Sequence, residues 1–264
     1  IATVPFTATV RLSPYSRLVR LTLEFDFGNS TEVGAREDLP GVPSFARDSD
    51  KLRLVVLLSF ASPRFFTHGP FEVRPVTRDR HVAVRWAAAE GDDRSVALFT
   101  DRATAIVCRQ QPATLELALA YGGRFLYAPK QHAPLTGKHR FDLALAFCET
   151  SCDKAGLPGL AEEFSQPLLV SADSPSVGNS FSKLTITPPG GAVLTAAYRD
   201  GDHLLIRLWR PAATPAEVKL SVPAAVALWT ADLRGRAIRQ LSRNGEAKLS
   251  LRAQEVLTVR ASFQ

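Results

Sequence analysis

Apolar and polar residues alternate at every second position through most of this chain, the period of a strand with one buried face. The pattern is cleanest from Leu18 to Phe27. Val19, Leu21, Leu23, Phe25 and Phe27 form one face, and Arg20, Thr22, Glu24 and Asp26 the other. Gly28 and Asn29 end that run with turn chemistry. Leu115, Leu117, Leu119 and Tyr121 alternate with Glu116, Ala118 and Ala120 until Gly122-Gly123. Phe141, Leu143, Leu145 and Phe147 mark another inner face. Leu204, Ile206 and Leu208 oppose Leu205, Arg207 and Trp209, and Pro211, which cannot donate to a ladder, ends the strand. Val218 with Leu220, and Leu249 with Leu251, repeat the alternation.

Other segments depart from strict alternation. Leu52–Phe60 is continuously apolar and is predicted to be a strand buried on both faces. Strands are also predicted near 82–86, at 95–100 and through Phe71-Glu72-Val73, with a turn at Glu90–Asp93. Phe65 and Phe66 are placed in a loop, and residues 30–49 in a long one. Leu160 and Phe164, four apart around Glu162 and Glu163, allow one short helical turn.

Short strands with turn signals at this spacing predict an all-β protein built as sandwiches. The polar stretch 171–180 has no apolar pattern and reads as a linker. The expected organisation is a large β-sandwich over 1–172 and a small one over 180–264, with less than about one quarter helix against the one third usual in soluble domains.

Composition narrows the picture. The apolar share is 45% and the charged share 22%, ordinary for a globular chain. No apolar run is long enough to cross a bilayer as a helix, and the first residues lack the pattern of a secretion signal. The sequence contains no Met and reads as a fragment or processed piece. Net charge is +6, but the arginines are scattered over polar faces and turns, so no nucleic-acid partner is expected. Three cysteines cannot complete a disulfide framework, and Cys148-x₃-Cys152 lacks two further zinc ligands. They are read as idle thiols, which favours a reducing, cytoplasmic setting. The Asn29-Ser30-Thr31 sequon carries no assignment by itself.

Candidate chemistry is sparse. Asp92/Asp93 and Glu162/Glu163 are the paired carboxylates a glycosidase would require, yet both pairs lie in turns or on a polar helical face. None of His68, His81, His132, His139 or His203 has a carboxylate two residues on. Trp86, Trp209 and Trp229 could stack on sugar rings, but their strand positions favour core packing.

Three C-terminal pieces in register carry a resemblance. They are Leu208-Trp209-Arg210-Pro211, Asp232-Leu233-Arg234-Gly235-Arg236 and Glu255-Val256-Leu257-Thr258. In this order they resemble the C-terminal β region of family 38 glycoside hydrolases, the zinc-dependent α-mannosidases. Earlier pieces extend the likeness over nearly the whole chain: Asp50, Leu52 and Arg53; Gly69, Glu72, Arg74 and Pro75; Gly137, His139, Phe141 and Leu143; Ala161, Phe164, Pro167 and Leu168. Arg210 stands where that family usually has Asn, and Ala253 where it has Pro. Val73 is inserted between Glu72 and Arg74. The LALAY stretch ending at Tyr121 lacks an Arg usual there.

The resemblance implies a galactose-mutarotase-like supersandwich followed by a small sandwich. It implies a non-catalytic region that braces an N-terminal zinc catalytic domain and lines its cleft, with α-mannosides as substrate. This chain would then hold no catalytic residue, no metal and no cofactor of its own. Tyr121, Arg124 and His132 would face the substrate, and a homo-oligomer contact is possible on the same basis. Two other classes remain open: an independent carbohydrate-binding module, and a mutarotase or epimerase in which His139 would need a carboxylate partner.

Overall fold

The computed structural model describes residues 4–29, 51–121, 123–125, 128–166, 184–188 and 190–263, with backbone alone for 123–125 and 128–133. Within them lie twenty-one strands and one helix. The all-β class holds. The chain divides into two compact units, Ile1–Gly69 with Arg74–Ser165, and Pro70–Val73 with Gln166–Gln264. The linker expected at 171–180 lies outside the described residues.

The first unit is a sandwich. A seven-stranded sheet has the order β1 (Phe6–Arg11), β2 (Leu18–Asp26), β13 (Lys138–Cys148), β8 (Arg94–Thr100), β7 (Trp86–Gly91), β4 (Arg64–Gly69) and β5 (Glu72–Pro75), of which Glu72 and Val73 fall in the second unit. The four-stranded sheet runs β3 (Lys51–Leu57), β10 (Ala113–Tyr121), β9 (Thr104–Gln110), β6 (Arg80–Ala83). Leu23, Phe65, Ala87, Leu98, Phe141 and Leu143 from the first sheet meet Ile106, Cys108, Leu115 and Leu117 from the second in one buried cluster. Antiparallel pairing sets which residues face inward. Phe141 lies opposite Leu23 and Leu143 opposite Leu21, so the two-residue period seen in the sequence becomes one continuous apolar surface.

The seven-stranded sheet is buried on its other face as well. Trp86 and Phe99 are register partners there, exposed by 1% and 0%. Helix α1 (Leu157–Ser165) lies against this face, in contact with β8. Leu157, Leu160, Ala161 and Phe164 are its buried residues, the i, i+3, i+4, i+7 stripe of an amphipathic helix. The helix is thus longer than the single turn expected. Gly156, in the left-handed region at φ 69°, precedes it, and its carbonyl accepts the Leu160 N–H at 3.2 Å. Buried Ala88, Ala97, Ala144 and Ala146 keep the sheet face shallow. The Arg20 guanidinium sits 5.5 Å from the centre of the Phe164 ring.

Three local expectations are corrected. The Leu52–Phe60 run is not buried on both faces. β3 is an edge strand, and Leu54, Val56 and Leu58 pack inward while Val55 and Leu57 are exposed. Phe65 and Phe66 are not in a loop but in β4, with Phe65 in the core. The 82–86 strand is two strands, because β6 ends at Ala83 in one sheet and β7 begins at Trp86 in the other.

The second unit is a smaller sandwich. A three-stranded sheet, β14 (Thr185–Thr187), β17 (Ala216–Ser221), β20 (Glu246–Leu251), faces a five-stranded one. The latter runs β15 (Val193–Asp200), β16 (His203–Trp209), β21 (Val256–Ser262), β18 (Ala227–Ala231), β19 (Ala237–Ser242). Ile206, Leu208, Val218, Leu220, Leu228, Leu249, Leu251 and Val259 form its core, with Leu204 and Leu257 packed against it. The turn Asp232–Arg236 joins β18 to β19. Asp232 Oδ1 accepts the Arg234 and Arg236 N–H groups, each at 2.9 Å. Those bonds, the Arg236 one foremost, hold its carboxyl below the usual range. Gly235 sits at φ 81°, and a Cβ there would fall 2.6 Å from Leu205 Cδ1. The turn needs glycine for both reasons.

Candidate functional site

Tyr121, Arg124 and His132 come from one continuous corner of the first unit. Tyr121 ends β10, half-buried and opposite Lys51 of β3. The chain then forms a two-stranded hairpin, β11 (Gly123–Phe125) with β12 (Ala128–Ala133). Arg124 and His132 are direct register partners in it. Two of the three residues are therefore neighbours across a ladder, and the third lies three residues before Arg124. Tyr, Arg and His are residue types whose side chains carry hydrogen-bond donors suited to hydroxyl-rich ligands. The side chains of Arg124 and His132 lie outside the described residues.

The paired acids do not form a catalytic couple. Asp92 and Asp93 are the two central residues of the β7–β8 turn, at φ 53° and 58°, the left-handed pair of a tight hairpin. Glu162 is ion-paired with Arg85, whose Nη1 also donates to Ser165 Oγ at 3.2 Å. Glu163 accepts from Ser16 Oγ. One pair shapes a turn, and the other fastens α1 to the sheet.

The tryptophans serve packing. Trp86 stacks on His68 at 5.9 Å, and Trp209 is 3% exposed with the Phe71 ring edge-on at 6.4 Å. Trp229 is half-buried on β18. His139 Nε2 bonds the Thr136 carbonyl at 2.9 Å, and the Phe27 ring meets it edge-on. Neither contact is the carboxylate a mutarotase-like histidine would need. Among the described residues no three His, Cys, Asp or Glu side chains gather to hold a metal, so they offer no donor set for zinc.

Two buried polar groups escape the pattern reading. Glu116 sits on the outer face of β10, 4% exposed. Its Oε1 accepts Arg109 Nε at 2.8 Å and Thr114 Oγ1 at 3.0 Å, and Arg53 pairs with Oε2. Glu90 is 6% exposed, paired with Arg64 and accepting the Cys152 N–H at 2.8 Å. Sequence alone assigns both to solvent, Glu116 as the polar residue of an alternating strand and Glu90 as the start of a turn, whereas Glu90 lies inside β7. The signal in the sequence is an Arg near each acid in the chain, Arg109 and Arg94, and it points to the right partner only for Glu116.

The thiols are inert by burial. Cys108, Cys148 and Cys152 are free and buried. Burial, aided by the charges of Asp79 and Glu116, pushes the Cys108 thiol up to about 12, and burial beside Glu90 raises Cys152 as well. Thiols held protonated in this way are poor nucleophiles.

His68 supplies a pH response. Burial, helped by the Arg85 charge, lowers its pKa to about 4, against ~6.5 in an unfolded chain. Above pH 6.5 both states are neutral and the full stability is present. As pH falls from 6.5 toward 4, the unfolded chain takes up a proton that the native state refuses. Stability is then expected to drop by about 3 kcal/mol. Urea titrations at pH 7 and pH 4.5 on the native chain and His68→Gln isolate this term. An equal loss in both proteins contradicts the assignment.

At one end of the first sandwich, opposite to Tyr121, a cleft of about 440 Å³ is walled by Leu57, Phe60, Val96 and Phe147, with Arg94 and Glu149 at its edge. No helix among the described residues is long and apolar enough to cross a membrane.

The molecule is thus an all-β chain of two sandwiches, a class that hosts many functions. No protein-family model matches the sequence, and no curated protein matches it. Solved structures do match in fold. An α-mannosidase from Enterococcus faecalis V583 superimposes with a TM-score of 0.68 at 12% identity, covering 98% of this chain and 29% of that one. A glycosyl hydrolase family 38 protein from Enterococcus faecalis gives 0.70 at 13% identity, covering 98% and 30%. At this identity the likeness is one of fold. The chain spans about three tenths of the length of the structures it matches.

Side chains in the resembling segments build turns, among them Arg210, which stands where that family usually has Asn. Arg210 Nη1 donates to the Gly190 and Gly191 carbonyls at 3.2 and 3.0 Å, and its Nε to Thr214 O at 3.0 Å. Glu255 Oε2 accepts the Arg252 N–H at 2.7 Å. Together with the Asp232 turn they fix how strands of the small sandwich connect.

Proposed function

We propose that this chain is the accessory β region of a larger α-mannosidase-like glycoside hydrolase. The observation that carries the reading is the coverage of the fold match: 98% of this chain against 29–30% of each matched protein. In this reading residues 1–172 form the large sandwich and 180–264 the small one. They brace a zinc-bearing catalytic domain elsewhere in the polypeptide. Tyr121, Arg124 and His132 approach the mannoside from one side of its cleft. The free, buried thiols suit a reducing, cytoplasmic setting. The partners are the remainder of the polypeptide and an α-mannoside.

Such a region has no chemistry to perform alone. A retaining mechanism needs a nucleophilic carboxylate and an acid in one site, and here the paired acids are committed to a turn and to a helix anchor. The purified 264-residue chain is expected to fold, to bind no stoichiometric zinc and to leave an aryl α-mannoside intact with zinc added. In a polypeptide that includes the catalytic domain, Arg124→Ala should raise KM and leave zinc content unchanged. Turnover by the 264-residue chain, or one tightly held zinc per chain, would overturn the reading.

A further inference from the structure

Among the described residues the β1 edge of the seven-stranded sheet is unpaired, and it carries a pattern that fits a second copy of itself. β1 forms one border of that sheet and pairs only with β2 among the described strands. The Asp26 N–H donates to the Pro5 carbonyl at 3.1 Å. That bond fixes the phase of the ladder. Pro5, Thr7, Thr9 and Arg11 turn their backbone groups toward β2, while Phe6, Ala8 and Val10 turn theirs to the open edge. Proline usually protects an edge by lacking a donor. Pro5 is in the inward-bonding set, so it leaves the outward donors in place.

The side chains are as open as the backbone. Phe6 is 64% exposed and Val10 61%, although both lie on the face that continues the apolar row of Leu21, Leu23 and Phe25. Phe6 stacks on Phe25 at 5.6 Å and is bare beyond it.

We infer that β1 pairs antiparallel with β1 of a second copy of this chain, about a two-fold axis through Ala8. The sequence Phe6-Thr7-Ala8-Thr9-Val10 is a chemical palindrome about that residue. Phe6 meets Val10 of the other copy, Thr7 meets Thr9, and Ala8 meets Ala8. Aromatic–β-branched and Thr–Thr pairs are favourable cross-strand neighbours. All three outward residues then exchange both backbone hydrogen bonds. The apolar row runs unbroken from Leu21 and Val10 of one copy to Phe6 and Phe25 of the other.

Charge agrees with this register. Arg11, the only charge on β1, is exposed and lies opposite Pro5 of the other copy, beside Asp26 one strand further in. Two strand spacings are roughly 10 Å, within the combined reach of the two side chains. Glu24, 53% exposed, flanks the same spot. The two-fold axis makes the contact twice. The occupant is a like copy, joined in an isologous interface, and the inference stands apart from the accessory-region reading.

Sedimentation equilibrium of the 264-residue chain should give twice the chain mass at micromolar concentration. A double variant carrying Phe6→Lys and Val10→Lys should give a monomer. Mixing it with a second double variant, Phe6→Glu and Val10→Glu, should restore the dimer, because each introduced ammonium then faces an introduced carboxylate. On the two-fold axis, Ala8→Cys should form an intermolecular disulfide under mild oxidation, since hydrogen-bonded partners stand about 5.5 Å apart at Cα. Thr7→Cys alone should not, and the native thiols are buried. A monomeric native chain, or a dimer in which the Ala8→Cys thiol stays reduced, overturns the proposal. So does a monomeric Ala8→Cys variant whose new thiol resists maleimide, which would show that another part of the same polypeptide fills the edge.

Discussion

Replacing Trp86 with alanine is expected to cost about 3–5 kcal/mol, the range for deleting a large aromatic side chain from a core. Trp86 is 1% exposed on a face that packs at once beside Phe99, against His68 and beneath the region of α1. Its neighbours Ala88 and Ala97 are too small to fill the space left behind. The surrounding β7 and β8 strands are anchored by ladders on both sides, so collapse of the site is restricted. Chemical denaturation monitored by far-ultraviolet circular dichroism measures the loss. Trp86→Phe should retain most of the stability because it keeps the ring over His68. A loss below about 1 kcal/mol for Trp86→Ala would mean that α1 does not cover this face.

Replacing Glu116 with alanine should cost about 3 kcal/mol, the lower end of the range for breaking a buried ion pair. The carboxylate is 4% exposed, and it separates two arginines that would otherwise face each other. Arg109 is 38% exposed at its side chain, so solvent screens part of the repulsion and holds the cost down. Glu116→Gln should fall between the native chain and Glu116→Ala, since it keeps an acceptor but loses the charge. Replacing Glu116, Arg53 and Arg109 together by leucine should recover most of the loss, because no charge is then left unpaired. Urea midpoints of the four proteins decide it. A triple variant no more stable than Glu116→Ala would show that packing, not charge, governs the site.

The candidate corner is partly legible in the sequence. The family resemblance singles out Tyr121, Arg124 and His132, and alternation locates Tyr121 at a strand end. The hairpin that sets Arg124 opposite His132 depends on a register that no local pattern specifies, since Gly122-Gly123 signals only a break. Glu116 is visible as a polar residue between leucines, yet its burial is not. The same spacing serves a solvated glutamate and a buried one. What separates them is whether Arg53, sixty-three positions earlier in the chain, arrives beside it.

The sequence by itself determined the strand-rich class, the inward faces of β2, β10 and β20, that of β13 as far as Leu145, and the turn residues that join them. These follow from local rules: side chains alternate across a pleat, glycine admits the left-handed region at Gly235, and proline ends β16. Phe147, read as inward, is 62% exposed, and β16 is buried on both faces, with Leu205 and Trp209 as buried as Ile206 and Leu208. Tertiary structure alone decided which apolar run is buried on both faces. Leu52–Phe60 looks the more apolar, but β3 lies at a sheet edge and leaves Val55 and Leu57 exposed. The Trp86–Glu90 run is doubly buried because β7 lies between β8 and β4, with the second sheet on one side and α1 over the sheet on the other. Burial on a second face depends on what the rest of the chain brings to it, and that is a long-range contact which no pattern within a strand encodes.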